Sequence, residues 1–375
     1  MEMKQQHIVV IGAGYAGLTA ALRLDRRHRI TLINAEKEFT QRIRLHEYVA
    51  GRPSVTVPLT ELTRGTGITV VQARVGALDP AAKLVHTTDG RQFSYDTLVY
   101  ALGSRTDLSV PGTADHAYTV EQAAALRTRL TTPGGGTLAV VGGGLTGVEL
   151  TTELAEAYPA WRISLVTGEL CAGLSPKGRA HVRKALTSLG VTIHPDTHIT
   201  AVKPGTLITD RGDIEADVIA WAGPFAVPTL AAESGLAVDG RGRAKVDETM
   251  RSISHPDVYI VGDAAAAQLP NGDESRMSCA VGIPTAAHAA DAINARTATR
   301  TAKPFRYAYL LQCVSLGRNN GLVQFVHPDD SPRDLVLTGR TAAWIKEGIC
   351  RSTMVALRLE RRRPGSTIWR RGRAR

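Results

Sequence analysis

The sequence predicts an α/β protein in which two similar strand–turn–helix units each open a domain, followed by a small C-terminal region. A β-branched run that ends in a Gly-rich turn and leads into a helical pattern occurs at residues 7–24, and the same order recurs at residues 138–154. A further strand pattern follows each unit, at residues 29–34 and 162–167. The 375 residues are enough for two or three separate cores.

Three more apolar runs end in glycine and are typical of buried parallel strands, at residues 95–104, 216–223 and 258–264. After them we expect a helix from about Pro284 to Asn294 and an amphipathic stretch from Thr341 to Leu359. The predicted organisation is a first domain in two segments (residues 1–110 and 226–298), a second domain (residues 111–225), a C-terminal region (residues 299–360) and a basic tail (residues 361–375).

Composition excludes several classes of protein. Apolar residues make up 43% of the chain, which is typical of globular proteins, and no run approaches the roughly 20 apolar residues that span a bilayer. The N-terminus has no pattern of a signal peptide, so a cytoplasmic protein is expected. The four cysteines form no CxxC pair, so we predict neither a metal site nor a disulfide framework.

The net charge of +10 is concentrated at the C-terminus. Residues 358–375 contain eight arginines and one glutamate, and 8 − 1 gives +7 of that charge. The remainder of the chain is nearly neutral for its size. We therefore do not expect the protein to bind nucleic acid through its folded surface.

The first Gly-rich turn reads Gly12-Ala13-Gly14-Tyr15-Ala16-Gly17. A phosphate group can approach the backbone where no Cβ is present, and the N-terminus of the following helix offers free N–H groups and partial positive charge. The motif alone is a weak signal, but here it lies between a strand and a helix, as that chemistry requires. It predicts a dinucleotide site.

An acidic residue that holds ribose hydroxyls is expected about 20 residues further on, at the end of the second strand. That strand ends at Asn34, and the first acid, Glu36, comes two residues later. An asparagine amide can also bind a hydroxyl. Asn34 and Glu36 both remain candidates.

The second Gly-rich turn, Gly142-Gly143-Gly144-Leu145-Thr146-Gly147, is followed by Glu149. A backbone without Cβ atoms next to a helix N-terminus again favours a phosphate group, so we predict a second dinucleotide there. Thr167 occupies the position where an acid would select NAD, and no cluster of arginines follows that could receive a 2′-phosphate. We therefore favour NADH over NADPH. The third motif is Gly262-Asp263, where a carboxylate at the end of a strand can bind a polyol hydroxyl.

In this order, the three motifs resemble the superfamily of FAD- and NAD(P)H-binding oxidoreductases with two Rossmann-like dinucleotide-binding domains. The resemblance covers about residues 8–294 and implies that the first turn binds FAD and the second binds NAD(P)H. It further implies that NAD(P)H passes hydride to N5 of FAD. Glu149 would meet the nicotinamide carboxamide and act as the catalytic residue. The helix near Pro284 would point its N-terminus at the flavin.

The resemblance assigns FAD contacts to residues of the first domain: Gly12, Gly14, Ala16, Gly17, Asn34, Glu36, Val75, Ala101, Gly103, Gly262, Asp263 and Pro284. It assigns NAD(P)H contacts to Gly142, Gly144, Gly147, Glu149 and Gly223. Arg42 and Arg44 are candidates for FAD phosphates or for a polar acceptor. His46 and His288 receive no catalytic role, because the sequence shows no partner for either.

Disulfide reductases of this superfamily need a CxxxxC pair after the first unit, and residues 39–47 contain no cysteine. With the disulfide reductases excluded, the sequence resembles type II NADH:quinone dehydrogenases and apoptosis-inducing-factor-like reductases. The expected acceptor is then external to the protein, with a quinone favoured. Arg42, Arg44 and His46 replace an apolar run there, so the acceptor is expected to be more polar than a long-tailed quinone.

Alternative functions stay open. They are a ferredoxin reductase, a biosynthetic oxidoreductase acting on a small organic substrate, and a redox-sensing protein that binds cofactors without turnover. The basic amphipathic stretch with Trp344 indicates contact with the inner face of a membrane, or packing on the first domain or a dimer partner. The sequence does not indicate an oligomeric state.

Overall fold

The computed structural model of the protein describes residues 5–269 and 271–372. The first part of the chain alternates strands with short helices. Its elements are β1 (His7–Ile11), α1 (Tyr15–Arg23), β2 (Arg29–Asn34), β3 (Glu38–Thr40), α2 (Leu45–Val49), β4 (Thr56–Pro58), α3 (Leu59–Leu62), β5 (Thr69–Gln72), β6 (Val75–Asp79), β7 (Leu84–Thr87), β8 (Gln92–Ser94), β9 (Thr97–Tyr100), β10 (Arg105–Thr106), α4 (Thr113–His116) and α5 (Ala123–Thr131).

The remaining elements repeat this alternation and then end in a sheet and a long helix. They are β11 (Gly136–Val141), α6 (Leu145–Ala157), β12 (Trp161–Val166), α7 (Pro176–Ser188), β13 (Thr192–His194), β14 (Ile199–Lys203), β15 (Thr206–Thr209), β16 (Ile214–Glu215), β17 (Val218–Trp221), β18 (Phe225–Ala226), α8 (Leu230–Glu233), β19 (Ala244–Lys245), β20 (Val258–Ile260), β21 (Ala265–Ala266), α9 (Cys279–Thr297), β22 (Leu311–Ser315), β23 (Gly321–Val326), β24 (Pro332–Thr338) and α10 (Gly339–Arg362).

The first sheet consists of five parallel strands in the order β20–β9–β1–β2–β5. Its central strands are apolar runs whose side chains are buried except at the strand ends, as expected of a parallel sheet covered on its faces. Helices α1 and α9 pack against each other beside it. Alanines on both helices, including Ala20 and Ala286, are inaccessible to solvent and allow the two backbones to approach closely.

The second sheet has four parallel strands in the order β13–β12–β11–β17. Its arrangement repeats that of the first sheet, because β11 and β17 take the places of β1 and β9. In each unit the strand before the Gly-rich turn ends level with the strand paired to it. Ile11, the last residue of β1, pairs with Tyr100 of β9, and Val141, the last residue of β11, pairs with Trp221 of β17. Parallel strands that end together form the edge at which such sheets bind ligands.

Helix α9 begins earlier than the sequence suggested. We expected it to start near Pro284 with the proline in its first turn, but it starts at Cys279 and Pro284 lies inside it. The preference of proline for the first turn was therefore a misleading signal. A proline inside a helix removes one backbone hydrogen bond. The segment after the proline is alanine-rich and buried, and the helix packs against α1.

The C-terminal region is a three-stranded antiparallel sheet, β22–β23–β24, crossed by α10. The helix extends beyond the predicted end at Leu359, because the carboxylate of Glu360 is fully buried and satisfied. It accepts hydrogen bonds from Arg23 of α1 and from the backbone N–H and the hydroxyl of Thr367. The Arg23 guanidinium also binds Asp291 of α9. The segment after α10 is thereby fixed to the first sheet's helices.

Within residues 5–269 and 271–372, none of the helices has the length and apolar character needed to cross a membrane.

Candidate functional site

The first Gly-rich turn is built so that two of its glycines are required by packing and one faces open space. A Cβ on Gly12 would lie 2.4 Å from the Ala101 carbonyl oxygen, and one on Gly17 would lie 1.8 Å from the Gly12 carbonyl oxygen. A Cβ on Gly14 would meet no atom within 4 Å. Gly14 is the N-cap of α1, so this open space lies at the positive end of a helix dipole.

The second turn repeats this geometry residue by residue. A Cβ on Gly142 would lie 2.3 Å from the Ala222 carbonyl oxygen, and one on Gly147 would lie 1.8 Å from the Gly142 carbonyl oxygen. Gly144, the N-cap of α6, again faces open space. Each unit thus has an open space in front of Gly14 or Gly144, at the N-terminus of the following helix, which we call its cradle. A side chain added at either glycine would fill that space. Both cradles fit a dinucleotide pyrophosphate.

The two candidates for a ribose contact differ in how far their side chains are engaged. The Asn34 amide oxygen accepts a hydrogen bond from the backbone N–H of Ala13 at 2.9 Å, and its nitrogen donates to the Glu36 carbonyl oxygen at 2.9 Å. Asn34 therefore stabilises the Gly-rich turn itself. The Glu36 side chain is exposed just beyond the strand.

The Gly262-Asp263 turn lies where α9 meets α1. A Cβ on Gly262, whose φ is +71°, would lie 3.0 Å from the Cβ of Ala16. The Gly262 N–H donates to the hydroxyl of Thr285, and the Ser104 hydroxyl donates to Asp263 at 2.7 Å. The turn therefore joins the first Gly-rich turn, β9 and α9 in one place.

A cavity opens beside this turn and is lined by residues of β21, α9 and the segment before α9. Its lining includes Asp263, Arg276, Ser278, Gly282 and Arg243. Arg243 is 2% exposed and is held by Asp239 and Glu274. The sequence analysis missed it, because an isolated arginine carries no motif. The N-terminus of α9 at this cavity is formed by residues 278–282 rather than by Pro284.

Four other predicted residues lie at strand ends or in a separate sheet. Ala101 follows β9 and donates its N–H to the Ile11 carbonyl, while Gly103 has a φ of +63°. A Cβ on Gly223 would lie 2.6 Å from the Trp221 indole nitrogen. Val75 begins β6, which belongs to a small antiparallel sheet outside both parallel sheets. The cofactor contacts predicted for these four residues remain predictions.

Arg42 and Arg44 are bound by groups of the protein. Arg42 donates to the Ser104 carbonyl at 2.5 Å and pairs with Glu121 at 3.2 Å. Arg44 is largely buried between Glu47 and Glu347, with N–O distances of 2.9 Å to each. Two carboxylates neutralise Arg44, so the segment before α2 is less cationic than its sequence suggests.

The catalytic candidate, Glu149, lies buried between all three parts of the molecule. Its carboxylate is 2.8 Å from the Lys346 ammonium of α10 and accepts the backbone N–H of Ser315, in β22, at 3.1 Å. Its second oxygen lies 3.9 Å from Nδ1 of His46, in α2. Helix α6 provides the glutamate, and the first domain and the C-terminal region provide its partners.

The charges of this cluster stabilise one another. Burial alone would raise the pKa of the Glu149 carboxyl, but the charge of Lys346 and the backbone N–H of Ser315 hold it below its ordinary value. Burial would lower the pKa of Lys346, but Glu149 raises it well above the usual range. Burial dominates for His46 and lowers its pKa. At neutral pH the arrangement is therefore an ion pair beside a neutral imidazole.

The sequence analysis gave no role to His46 and singled out no function for Lys346, which lies in the predicted amphipathic stretch. Neither has a neighbour in sequence that would indicate a partnership with Glu149. One signal was present in α6: Glu149, Glu153 and Glu156 are spaced by four and then three residues, which places three carboxylates on one helical face. Glu153 is 2% exposed and pairs with Arg318, in the turn after β22.

The four cysteines are free. Cys171 and Cys350 are buried, and burial raises the pKa of each thiol to about 12, which disfavours the reactive thiolate. In the part of the chain that the structure describes, no group of three or more His, Cys, Asp or Glu side chains is arranged to hold a metal ion.

Comparison with known proteins agrees with this architecture. Residues 6–292 match the pyridine nucleotide-disulphide oxidoreductase family. An NADH dehydrogenase-like protein of Mycobacterium tuberculosis is 31% identical over 314 residues, which cover 75% of this chain and 78% of that protein. A type II NADH:quinone oxidoreductase of Staphylococcus haemolyticus is 26% identical, with 93% of this chain and 95% of that protein covered.

A solved structure confirms the predicted fold class. NDH2 of Plasmodium falciparum in complex with NADH superposes with a TM-score of 0.81 over 95% of this chain and 97% of that chain. The two sequences are 16% identical, so the likeness is one of fold.

Proposed function

The chain belongs to the pyridine nucleotide-disulphide oxidoreductase family, and from this membership we propose that it is an FAD-dependent NADH:quinone oxidoreductase. As a member of that family it is an NAD(P)H-dependent oxidoreductase with a flavin and a nicotinamide cofactor. FAD as the flavin, NADH as the nicotinamide and a quinone as the acceptor are our proposals. A bound flavin would supply the two-electron redox chemistry that links the nicotinamide to the acceptor.

The observation that carries the proposal is the repeated cradle. Gly14 and Gly144 face open space at two helix N-termini, while the glycines on either side of each are fixed by packing. We propose that the cradle at Gly14 holds the FAD pyrophosphate, with Glu36 on the ribose and Asp263 on the ribityl chain. The cradle at Gly144 holds the pyrophosphate of NADH, and Glu149 contacts the nicotinamide carboxamide.

NADH is proposed over NADPH because of the groups at the end of β12. The Thr167 hydroxyl there donates to the Glu169 carbonyl oxygen at 2.9 Å. Arg179, the guanidinium beside this strand end, is paired with Glu169 at 2.6 Å. A 2′-phosphate would have to compete with that carboxylate for the arginine.

Two observations support a quinone as the acceptor. The Staphylococcus haemolyticus relative is named for quinone reduction and is covered over 95% of its length. The arginines that suggested a more polar acceptor are engaged elsewhere, since Arg44 lies between Glu47 and Glu347, and Arg42 is bound to Ser104 and Glu121. The segment beside α2 therefore presents less free positive charge to an acceptor than its sequence suggests.

The test is an acceptor panel with the purified holoprotein. We expect NADH to bleach the flavin absorbance in a stopped-flow experiment and a short-chain quinone to restore it. NADPH should bleach it more slowly. A flavin that ignores both nucleotides would contradict the oxidoreductase step, and recovery with a ferredoxin but with no quinone would contradict the acceptor.

We also propose that the start of α10 and the strand before it lie on an anionic membrane surface. Trp344 is 76% exposed, and Leu335 and Leu337 are 52% and 38% exposed. Arg333 and Arg340 lie among them on the exposed surface. Exposed apolar side chains flanked by arginines fit a bilayer interface with negatively charged headgroups.

Vesicle co-sedimentation tests this surface. We expect binding to vesicles that contain phosphatidylglycerol and weak binding to pure phosphatidylcholine. Trp344→Gln should weaken binding by roughly 10- to 100-fold, the value of burying one large apolar side chain. Ile253→Gln is the matched control, because Ile253 is 60% exposed but lies in the first domain. Equal binding by all three proteins would contradict the proposal.

A further inference from the structure

A row of three carboxylates runs along helix α6 from the buried site to the surface. Glu149 is buried against Lys346, Glu153 is 2% exposed one turn later, and Glu156 is exposed three residues beyond. Residues three and four positions apart on a helix are neighbours on its surface, with Cβ atoms about 5–6 Å apart. A single helical face thus connects the interior of the site with solvent.

Arg318, in the turn between β22 and β23, holds the outer half of this row. Its Nε donates to Glu153 at 2.7 Å, its backbone N–H donates to Glu156 at 2.7 Å, and its Nη1 lies 3.7 Å from Glu47 of α2. One residue of the C-terminal region therefore fixes the position of carboxylates from two other parts of the molecule.

Three buried polar atoms along the row have no hydrogen-bond partner among the described residues. One is Nη2 of Arg318, which lies in ion-pair contact with Glu153. The other two are Oε1 of Glu153 and Nε2 of His46, the imidazole whose other nitrogen faces Glu149. Leaving such buried atoms unpaired is destabilising. A purely structural ion-pair network would gain stability by satisfying them, whereas groups that exchange protons with water need a free oxygen or nitrogen.

The charge balance also favours a bound proton. Burial raises the pKa of the Glu153 carboxyl to about 7, with Glu47 and Glu156 adding to the effect and Arg318 opposing it. Five carboxylates face four permanent cations in this cluster, and the buried His46 is neutral. The carboxylates are Glu47, Glu149, Glu153, Glu156 and Glu347, and the cations are Arg44, Arg318, Lys346 and Arg351.

The outer end of the row opens on a groove. Glu156 lines it together with His181 and Lys184 of α7 and with Leu316 and Asn320 of the β22–β23 turn. His181 is bound to Asn320 at 3.1 Å. Water in this groove has direct access to the Glu156 carboxylate.

We propose that Glu156, Glu153 and Glu149 form a proton path along one face of α6, and that Arg318 is its positioning residue. The path deepens the proposed function, since it supplies a proton that quinone reduction consumes. A hydride brings two electrons and one proton, and a quinone takes two electrons and two protons to become a quinol. The balance is NADH + H⁺ + quinone → NAD⁺ + quinol, and the free proton comes from water through this row.

The test compares two acceptors in the holoprotein. A quinone takes up protons with its electrons, whereas ferricyanide takes an electron alone. Glu153→Gln keeps the size of the side chain and removes the exchangeable proton. We expect quinone turnover to fall by roughly 100-fold relative to ferricyanide turnover, the lower end of general acid–base effects. Glu215→Gln, at an exposed glutamate of β16, should leave this ratio unchanged.

The pH profile separates proton transfer from a structural role. Glu153 is protonated below its pKa of about 7 and ionised above it. In the wild type the ratio of quinone to ferricyanide turnover should therefore fall as pH rises through that value. In Glu153→Gln the ratio should be low at every pH, and a small permeant acid such as formic acid should partly restore it.

Three outcomes are decisive. Absence of quinone turnover in the wild type, with ferricyanide turnover present, contradicts the proposed acceptor. Quinone turnover in the wild type with an unchanged ratio and pH profile in Glu153→Gln contradicts the path. If Glu153→Gln loses its flavin, Arg318→Gln is measured instead. Without the guanidinium the pKa of Glu153 should rise, so the ratio of quinone to ferricyanide turnover should fall at a higher pH than in the wild type. If the pH at which the ratio falls did not change, the proposal would be overturned.

Discussion

Replacing Gly14 by valine is expected to give a folded protein that has lost its flavin. A Cβ at Gly14 meets no atom within 4 Å, and the φ of −73° is open to any L-residue. The side chain therefore grows into the empty cradle and not into the protein. A bound pyrophosphate would lose at least two hydrogen bonds from the turn, each contributing about 1.5–3 kcal/mol, which corresponds to roughly 10²- to 10⁴-fold weaker binding.

The repeat of the cradle supplies the matched variant. Gly144 has the same open surroundings and a φ of −70°. Gly144→Val should purify as a yellow protein that dithionite bleaches and NADH does not. The pair of variants thus assigns each cradle separately, by flavin content for the first and by the rate of reduction by NADH for the second.

Gly17→Ala is the control for the fold. Its single methyl group would lie 1.8 Å from the Gly12 carbonyl oxygen, so the strand and helix must move apart. We expect the midpoint of chemical unfolding to fall, since overpacking costs about 1–3 kcal/mol. A Gly14→Val protein that kept a full complement of flavin, or one as unstable as Gly17→Ala, would contradict the assignment of the cradle.

Much of the fold could be predicted because its signals are local. The strand at Arg29–Asn34 was predicted with the bounds that the structure has, since its apolar, partly β-branched run lies between the charged segments at residues 25–28 and 36–38 and has few other interpretations. Both Gly-rich turns were found for the same reason. Their spacing encodes the close approach of strand to helix within six residues, and no distant contact is needed to recognise it.

The site could be predicted only in part, because its partners are remote in sequence. Nothing near Glu149 indicates that Lys346 lies 2.8 Å away, and on a helix of basic and apolar residues Lys346 looks like an ordinary surface charge. Helix α9 begins at Cys279, five residues before Pro284, although proline favours the first turn of a helix. Asn34 and Glu36 were both candidates for the ribose contact from their positions, and the sequence did not show that the Asn34 amide oxygen accepts the backbone N–H of Ala13.

Removing the cation of the buried pair should cost more stability than any other single charge change at the site. Lys346→Met leaves the Glu149 carboxylate buried without its partner, and breaking a buried pair in this way typically costs about 3–5 kcal/mol. Lys346 and Glu149 are 15% and 10% exposed, so solvent screens little of the interaction. Lys177→Met, at an exposed lysine of α7, is the matched control and should change stability little.

The sign of the pH dependence is specific to this pair. In the wild type the pKa of Glu149 lies below its ordinary value, so the pair contributes stability above the unfolded-state pKa and loses it as pH falls. In Lys346→Met the uncompensated burial raises that pKa. The variant should then be closest to the wild type at acidic pH, where Glu149 is protonated, and least stable relative to it at alkaline pH. Chemical denaturation at several pH values measures how the free energy of unfolding depends on pH in the wild type and in Lys346→Met.

The double variant Glu149→Gln/Lys346→Met separates stability from function. Without either charge there is no buried ion to solvate, so we expect much of the stability lost in Lys346→Met to return. Quinone turnover should not return with it, because the carboxylate proposed to contact the nicotinamide is gone. If the double variant were as unstable as Lys346→Met, the loss would come from packing of α10 and not from the charge of Glu149. If it recovered turnover together with stability, the pair would serve only to hold the C-terminal region against α6.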